Sequence, residues 1–226
     1  MRGAPLGEGH PGRAALLFTV TTLALQADGK IVAVGGSGHF GDLFAVVRLD
    51  GDGTLDAAFG RDGRVTWDFG PYGAAATSVA IQADGKIIPA GTWTVVCWEG
   101  GHCDTVFVLA RYFVDGSPDP TFGGDGEVSS DFKGWPMPSH PSHGRIVVAD
   151  EISGGFTLAR YNSDASADTS FSGDGRVRTF PRYSNARSVL IQNDGEIVLA
   201  GTVFSADGSP GFALVDTSPC EDQRKR

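Results

Sequence analysis

Apolar positions along this chain recur at every second residue in short runs, and nowhere at the three-and-four spacing of an amphipathic helix. The cleanest stretch begins with Val79 and Ile81 alternating with small or polar neighbours, which predicts a half-buried strand. Asp84-Gly85 then predicts a tight type I′ hairpin turn, and Lys86 to Thr92 returns as a second strand. Val106 to Val114, rich in β-branched and aromatic residues, predicts a third. Asp115-Gly116 turns again, and Glu127 to Phe132 predicts a fourth. Four short strands in a unit of about 50–55 residues is the content of one β-propeller blade.

The unit repeats. QADGKIV at Gln26 to Val32 returns as QADGKII at Gln82 to Ile88 and as QNDGEIV at Gln192 to Val198. The double-length gap before the last copy is filled at His143, where HGRIVVA keeps the glycine, a basic residue and the apolar run. A period of about 50–60 residues marks a repeat architecture. The expected organisation is one all-β, propeller-like domain over residues 1–226, with units at 19–70, 71–132, 133–180 and 181–215 and a tail at 216–226. The third blade is expected to be irregular, because Pro136, Pro138 and Pro141 cannot sit in a central ladder. Gly12 to Phe18 stands where a fourth-type strand would precede unit one, so pairing of the two terminal strands is expected to close the ring. An open fragment of a longer array is the alternative. The apolar run Ala14 to Leu25 looks like a signal-peptide core, but its second half aligns with the repeat and reads as a strand.

One segment keeps constant spacing in three units: Arg48, Asp56 and Phe59; Arg111, Asp119 and Phe122; Arg160, Asp168 and Phe171. A cation and a carboxylate at fixed separation beside a phenylalanine suit a repeated ion pair with an apolar plug. Catalysis would not need the pair three times. Length varies instead in the links between second and third strands and between blades, which in an up-and-down blade emerge together on one face. Binding residues tend to collect on such loops.

These units resemble the bacterial delta-60 repeat family. The resemblance rests on VAIQADGKIIPAG with FVLARYFVDGSPDPTFGGDG in unit two, LALQADGKIVAVGG with FAVVRLDGDGTLDAAFGRDG in unit one, and FTLARYNSDASADTSFSGDG in unit three. It implies a propeller-like fold in surface-associated or secreted bacterial proteins, and it implies no defined activity.

Composition narrows the partners. With 27 acidic and 18 basic residues the net charge is -9, which disfavours nucleic acid. No apolar run is long enough for a transmembrane helix. The variable links hold the candidate binding residues His39, Phe40, Tyr72, Trp93, Trp98, His102, Trp135, His140, His143, Arg182 and Tyr183, amphipathic groups suited to stacking on sugars or gripping peptide side chains. Cys97 and Cys103 flank Gly100-Gly101 as a disulfide candidate, which would mean an oxidising compartment; half a zinc site with His102 is the weaker reading. Asp50, Asp52 and Asp56 resemble a calcium loop, yet the same place is an ordinary turn in the other units, so neither metal nor cofactor is expected. Neither a nucleophile elbow, a His-Glu-x-x-His pair nor a P-loop is present. The expected function is non-enzymatic: a binding or scaffold module for a glycan or protein, at the cell surface or outside the cell. The alternatives are a propeller-type hydrolase or lactonase, or an array fragment without independent activity.

Overall fold

The computed structural model describes residues 18–37, 43–70, 72–98, 103–130, 137–138, 145–152, 155–178, 184–192, 195–205 and 208–217. The described residues are all β. The first sheet is β1 (Phe18–Leu25), β2 (Ile31–Ser37), β3 (Leu43–Leu49) and β4 (Arg64–Trp67), paired in that order. The second is β5 (Ala74–Ile81), β6 (Ile87–Cys97), β7 (Cys103–Ala110) and β8 (Glu127–Ser130). The third is β9 (Met137–Pro138), β10 (Ile146–Ile152), β11 (Gly155–Tyr161) and β12 (Arg176–Arg178), and the last has three strands, β13 (Ser184–Ile191), β14 (Ile197–Phe204) and β15 (Pro210–Thr217). Every pairing is antiparallel between sequence neighbours, the meander of a propeller blade.

The blades stack face to face, and continuous apolar runs on the central strands supply both faces. Val32, Val34, Phe44 and Val46 of the first blade pack with Ala74, Ala76, Ile87, Ala110 and Tyr112 of the second. Ile88, Phe107 and Leu109 on the opposite face of the second blade meet Ile146, Val148, Ala159 and Tyr161 of the third. Val147, Ala149 and Leu158 continue to Val189, Ile197 and Leu199 of the fourth. Because both faces of an inner blade are covered, its central strands read as near-continuous apolar runs.

Several expectations change. The Asp84-Gly85 turn is not type I′: only Gly85 has positive φ (83°), and Asp84 instead accepts the Lys86 amide on its carboxylate. The same holds at Gly29 and Asp28. One left-handed residue with an Asx-type cap satisfies the turn, so a second is not needed. The second strand of unit two runs to Cys97 and the third starts at Cys103, because the variable link is itself an extended hairpin. Of the third blade's first strand the described residues include Met137–Pro138, paired with Val148 and Ala149 of β10; Pro138 is tolerated there because the strand lies at the edge of the sheet. Ring closure is not seen among the described residues: β15 ends a three-stranded sheet with no further strand beside it. The expected closing strand, residues 12–17, lies outside the described residues.

The sequence pattern also hides a repeated bulge. Val20 pairs with Gly35 and Thr22 with Val34, leaving Thr21 extra; Thr77 and Arg187 are extra at the equivalent places opposite Gly91 and Gly201. The bulge drives a carbonyl onto the facing glycine, so a Cβ on Gly35 would lie 1.8 Å from the Thr19 oxygen, and one on Gly91 2.0 Å from that of Ala75. Both obstacles are backbone and cannot rotate away. Gly91→Ala is therefore expected to lower unfolding stability by about 1–3 kcal/mol, the usual cost of overpacking, measured as a shift in the urea midpoint. An unchanged midpoint would show that the bulge relaxes freely.

Candidate functional site

The constant segment forms a buried cation–carboxylate node in each of three blades. Arg48 Nε donates to Asp56 Oδ2 at 2.6 Å, Arg160 Nε to Asp168 Oδ2 at 2.7 Å, and Arg111 Nε lies 2.8 Å from Asp119 Oδ2. A second cation reaches the same oxygen, Lys30 at 2.7 Å, Lys86 at 3.0 Å and Arg145 at 3.1 Å, which explains the basic residue after the first-hairpin glycine in these three units; the fourth has Glu196 there. The other carboxylate oxygen accepts the amide two residues on, at Ala58, Thr121 and Ser170, and so pins the turn. Each guanidinium lies over its own phenylalanine, 4.7 Å from Phe59, 4.8 Å from Phe122 and 4.4 Å from Phe171.

The node also crosses the blade junction. Arg48 Nη1 donates to the Val114 carbonyl of the second blade, and Arg111 Nη1 to the Ser163 carbonyl of the third. Beside them the amide of Gly60 donates to Asp115 O at 2.7 Å and that of Gly123 to Asp164 O at 3.1 Å. Gln26 Nε2 adds a longer bond to Gly85 O at 3.5 Å. Hydrogen bonding by Lys30, against some burial cost, holds Asp56 at a pKa of about 2. Burial pushes Asp119 up, but the Thr121 hydroxyl, Lys86 and Arg111 outweigh it and leave the carboxyl at about 2. Asp168 is lowered likewise against burial, by Ser170 and Arg160. Charges paired this closely hold the blades together, although in the second blade Arg111 Nε and Asp119 Oδ2 approach as ions without a hydrogen bond between them.

The acidic loop of unit one is engaged in the same way. Asp50 receives Lys30 at 3.0 Å, Asp52 receives the Thr54 amide and hydroxyl, and Asp56 belongs to the node. Each of the three carboxylates thus accepts at least one donor from the loop or the node. Among the described residues no group of three His, Cys, Asp or Glu side chains could hold a metal.

On the variable side the described candidates part company. Trp93 is half-buried, its ring 5.8 Å from Phe69, which stacks on Trp67 at 6.3 Å and meets Phe44 edge-on at 5.7 Å. Trp93 thus belongs to an aromatic seam between the first two blades; Phe69 and Trp67, unremarked in the sequence, complete it. Tyr72 and Trp98 are exposed, Trp98 at 51%. Trp98 directly follows Cys97, which is bonded to Cys103 across the hairpin at a Cα–Cα distance of 4.1 Å. His39, Phe40, His102, Trp135, His140, His143, Arg182 and Tyr183 lie outside the described residues.

One titratable group escaped the sequence reading. Glu127, at the start of β8, has its carboxyl pushed up to about 7 by burial first and by Asp125 second. It has no counterpart in unit one or three, where Arg64 and Arg176 stand, so no repeat pattern could flag it.

These shifts fix a pH profile. Glu127 holds its proton longer in the folded state, so its contribution weakens as pH rises from about 4.5 to 7. The depressed Asp56 and Asp119 contribute fully above about 4, and that contribution is lost as pH falls towards 2. Stability is expected to peak near pH 4–5, and Glu127→Gln should flatten the upper limb in denaturant titrations at several pH values. Asp119→Ala, which strands two cations at a buried site, should cost about 3–5 kcal/mol in the same assay, and a loss under 1 kcal/mol would contradict the node's role.

Comparison with known proteins agrees with the architecture. No curated protein matches the sequence. Among solved structures, a candidate oxidoreductase (glucose dehydrogenase) from Thermus thermophilus superposes with a TM-score of 0.52 at 16% identity, over 95% of this chain and 74% of that one. A protein of unknown function from Bacteroides caccae gives 0.48 at 9% identity over 88% of this chain, which spans 61% of its length. A Bacillus subtilis arabinanase gives 0.43 at 12% identity, over 86% of this chain and 71% of that one. The family model described as domain of unknown function (DUF5122) beta-propeller matches residues 26–59, 82–122 and 192–215. Those segments run from the QADG or QNDG turn towards or into the node, so the chain is similar to that propeller family in the parts that build its blade junctions.

Proposed function

We propose that this protein is a non-enzymatic binding module of delta-60 type, acting at the bacterial cell surface or outside the cell on a glycan or protein partner. The observation that carries this reading is the β6–β7 hairpin. It projects beyond the length of the other blade strands, is cross-linked by Cys97–Cys103, and presents an exposed Trp98 at its end. A rigid aromatic held out on a cross-linked arm contributes contact area while losing little conformational freedom on binding. The disulfide supports an oxidising compartment. Among the described residues no helix is long and apolar enough to cross a membrane.

The first test is a screen of the purified protein against arrayed glycans and surface-protein fragments, with affinities of hits measured by calorimetry. Trp98→Ala is expected to weaken binding about 5- to 30-fold, roughly 1–2 kcal/mol, with an unchanged unfolding midpoint. Equal affinities would remove Trp98 from the site. Cys97→Ser with Cys103→Ser should release about 2 kcal/mol of loop-closure constraint and weaken the same binding, since the arm then loses its fixed shape. Turnover of a bound glycan would overturn the non-enzymatic reading.

A further inference from the structure

Within the chain, each blade receives the one before it mainly on its first strand: β5 lies against β1, β2 and β3, and β13 against β10 and β11. On β5 the receiving residues are Ala76, Val79 and Ile81, and on β13 they are Val189 and Ile191. By ladder register their equivalents on β1 are Val20, Leu23 and Leu25, opposite Gly35, Ala33 and Ile31. All three are exposed. The centre of that face, Ala33 and Val47, is buried, so the open strip is β1 itself.

The fourth blade shows the complementary surface. Phe212 pairs with Thr202 as Phe107 pairs with Thr92, and Phe44 holds the matching place opposite Gly36. Phe44 and Phe107 are 1% exposed under the next blade, whereas Phe212 is 76% exposed. Leu190, opposite Val198, and Phe204, opposite Pro210, lie on the same face and are exposed too. Single exposed apolar residues are ordinary, but a set whose apolar counterparts are buried or partly buried at the internal junctions is not.

From this we infer that the forward face of the fourth blade seats on β1 of a second copy of this chain, head to tail, reproducing the internal junction between chains. The occupant is chosen by continuity: the two exposed surfaces are the two halves of one interface that the chain already forms with itself. A heterologous contact closes into a ring when its rotation allows, and the four described blades of each of two copies would then make eight, within the ordinary propeller range of roughly 4–8. Asp216 stands where the register places the arginine in the other blades, opposite Val198 as Arg48 is opposite Val32. No arginine is therefore sent forward, and the junction between copies rests on apolar contact. It should be concentration-dependent.

Light scattering on the purified chain across a dilution series tests this. The expected result is twice the chain mass at high concentration, falling to one chain on dilution. Phe212→Ser and Leu25→Ser, both at exposed positions, should each weaken association tenfold or more with unchanged circular dichroism. An equimolar mixture of the two variants should recover association, since each retains the surface the other lacks. A single-chain mass at every concentration would overturn the inference, and would mean that the two surfaces meet within one chain or stay open. A dimer that survives both substitutions, or a mixture that stays monomeric, would also overturn it.

Discussion

The aspartate at each node is the constraint on which the rest depends. It is buried, and a buried carboxylate is tolerated only when charge and hydrogen bonds replace the water it loses. Here one oxygen takes two cations and the other caps a turn, so the third strand, the following turn and the first hairpin of a blade are fixed together. With its Nε occupied, the arginine still has Nη1 free to reach the next blade. Position within a blade and position between blades are thus set by one group of atoms.

This arrangement separates what may change from what may not. The turn side carries the nodes, with near-identical geometry in three blades. The opposite side carries the links whose length differs from unit to unit, among them the disulfide-closed arm of the second blade. Those links can therefore diversify without touching the contacts that keep blades in register, the usual division between scaffold and loop.

Much of the fold was legible because it repeats. Three copies of Arg-Asp-Phe and the alternating runs around Asp-Gly identify blade, strand order and the role of the constant charges. What escaped was set by geometry without a side-chain signature. The bulges at Thr21 and Thr77 change register without breaking the apolar count, since a bulge adds one residue where alternation already tolerates a small or polar one. Trp93 read as a loop aromatic, because only the three-dimensional course of β4 to β5 brings Phe69 beside it. Glu127 was silent, because its shift comes from burial, which no neighbouring residue type announces. The candidate site was least legible, since loops that differ in every unit give no internal comparison.

The acceptors of the interblade arginines are main-chain carbonyls, at Val114 and Ser163, two residues with unrelated side chains. A backbone oxygen is supplied by any residue, so a blade need not match the sequence of its neighbour to be gripped by it. For this contact, units can then be duplicated, deleted or exchanged without paired mutations on either side. Drift of the sort that separates the first and third units costs the array little, provided each keeps its own arginine and aspartate.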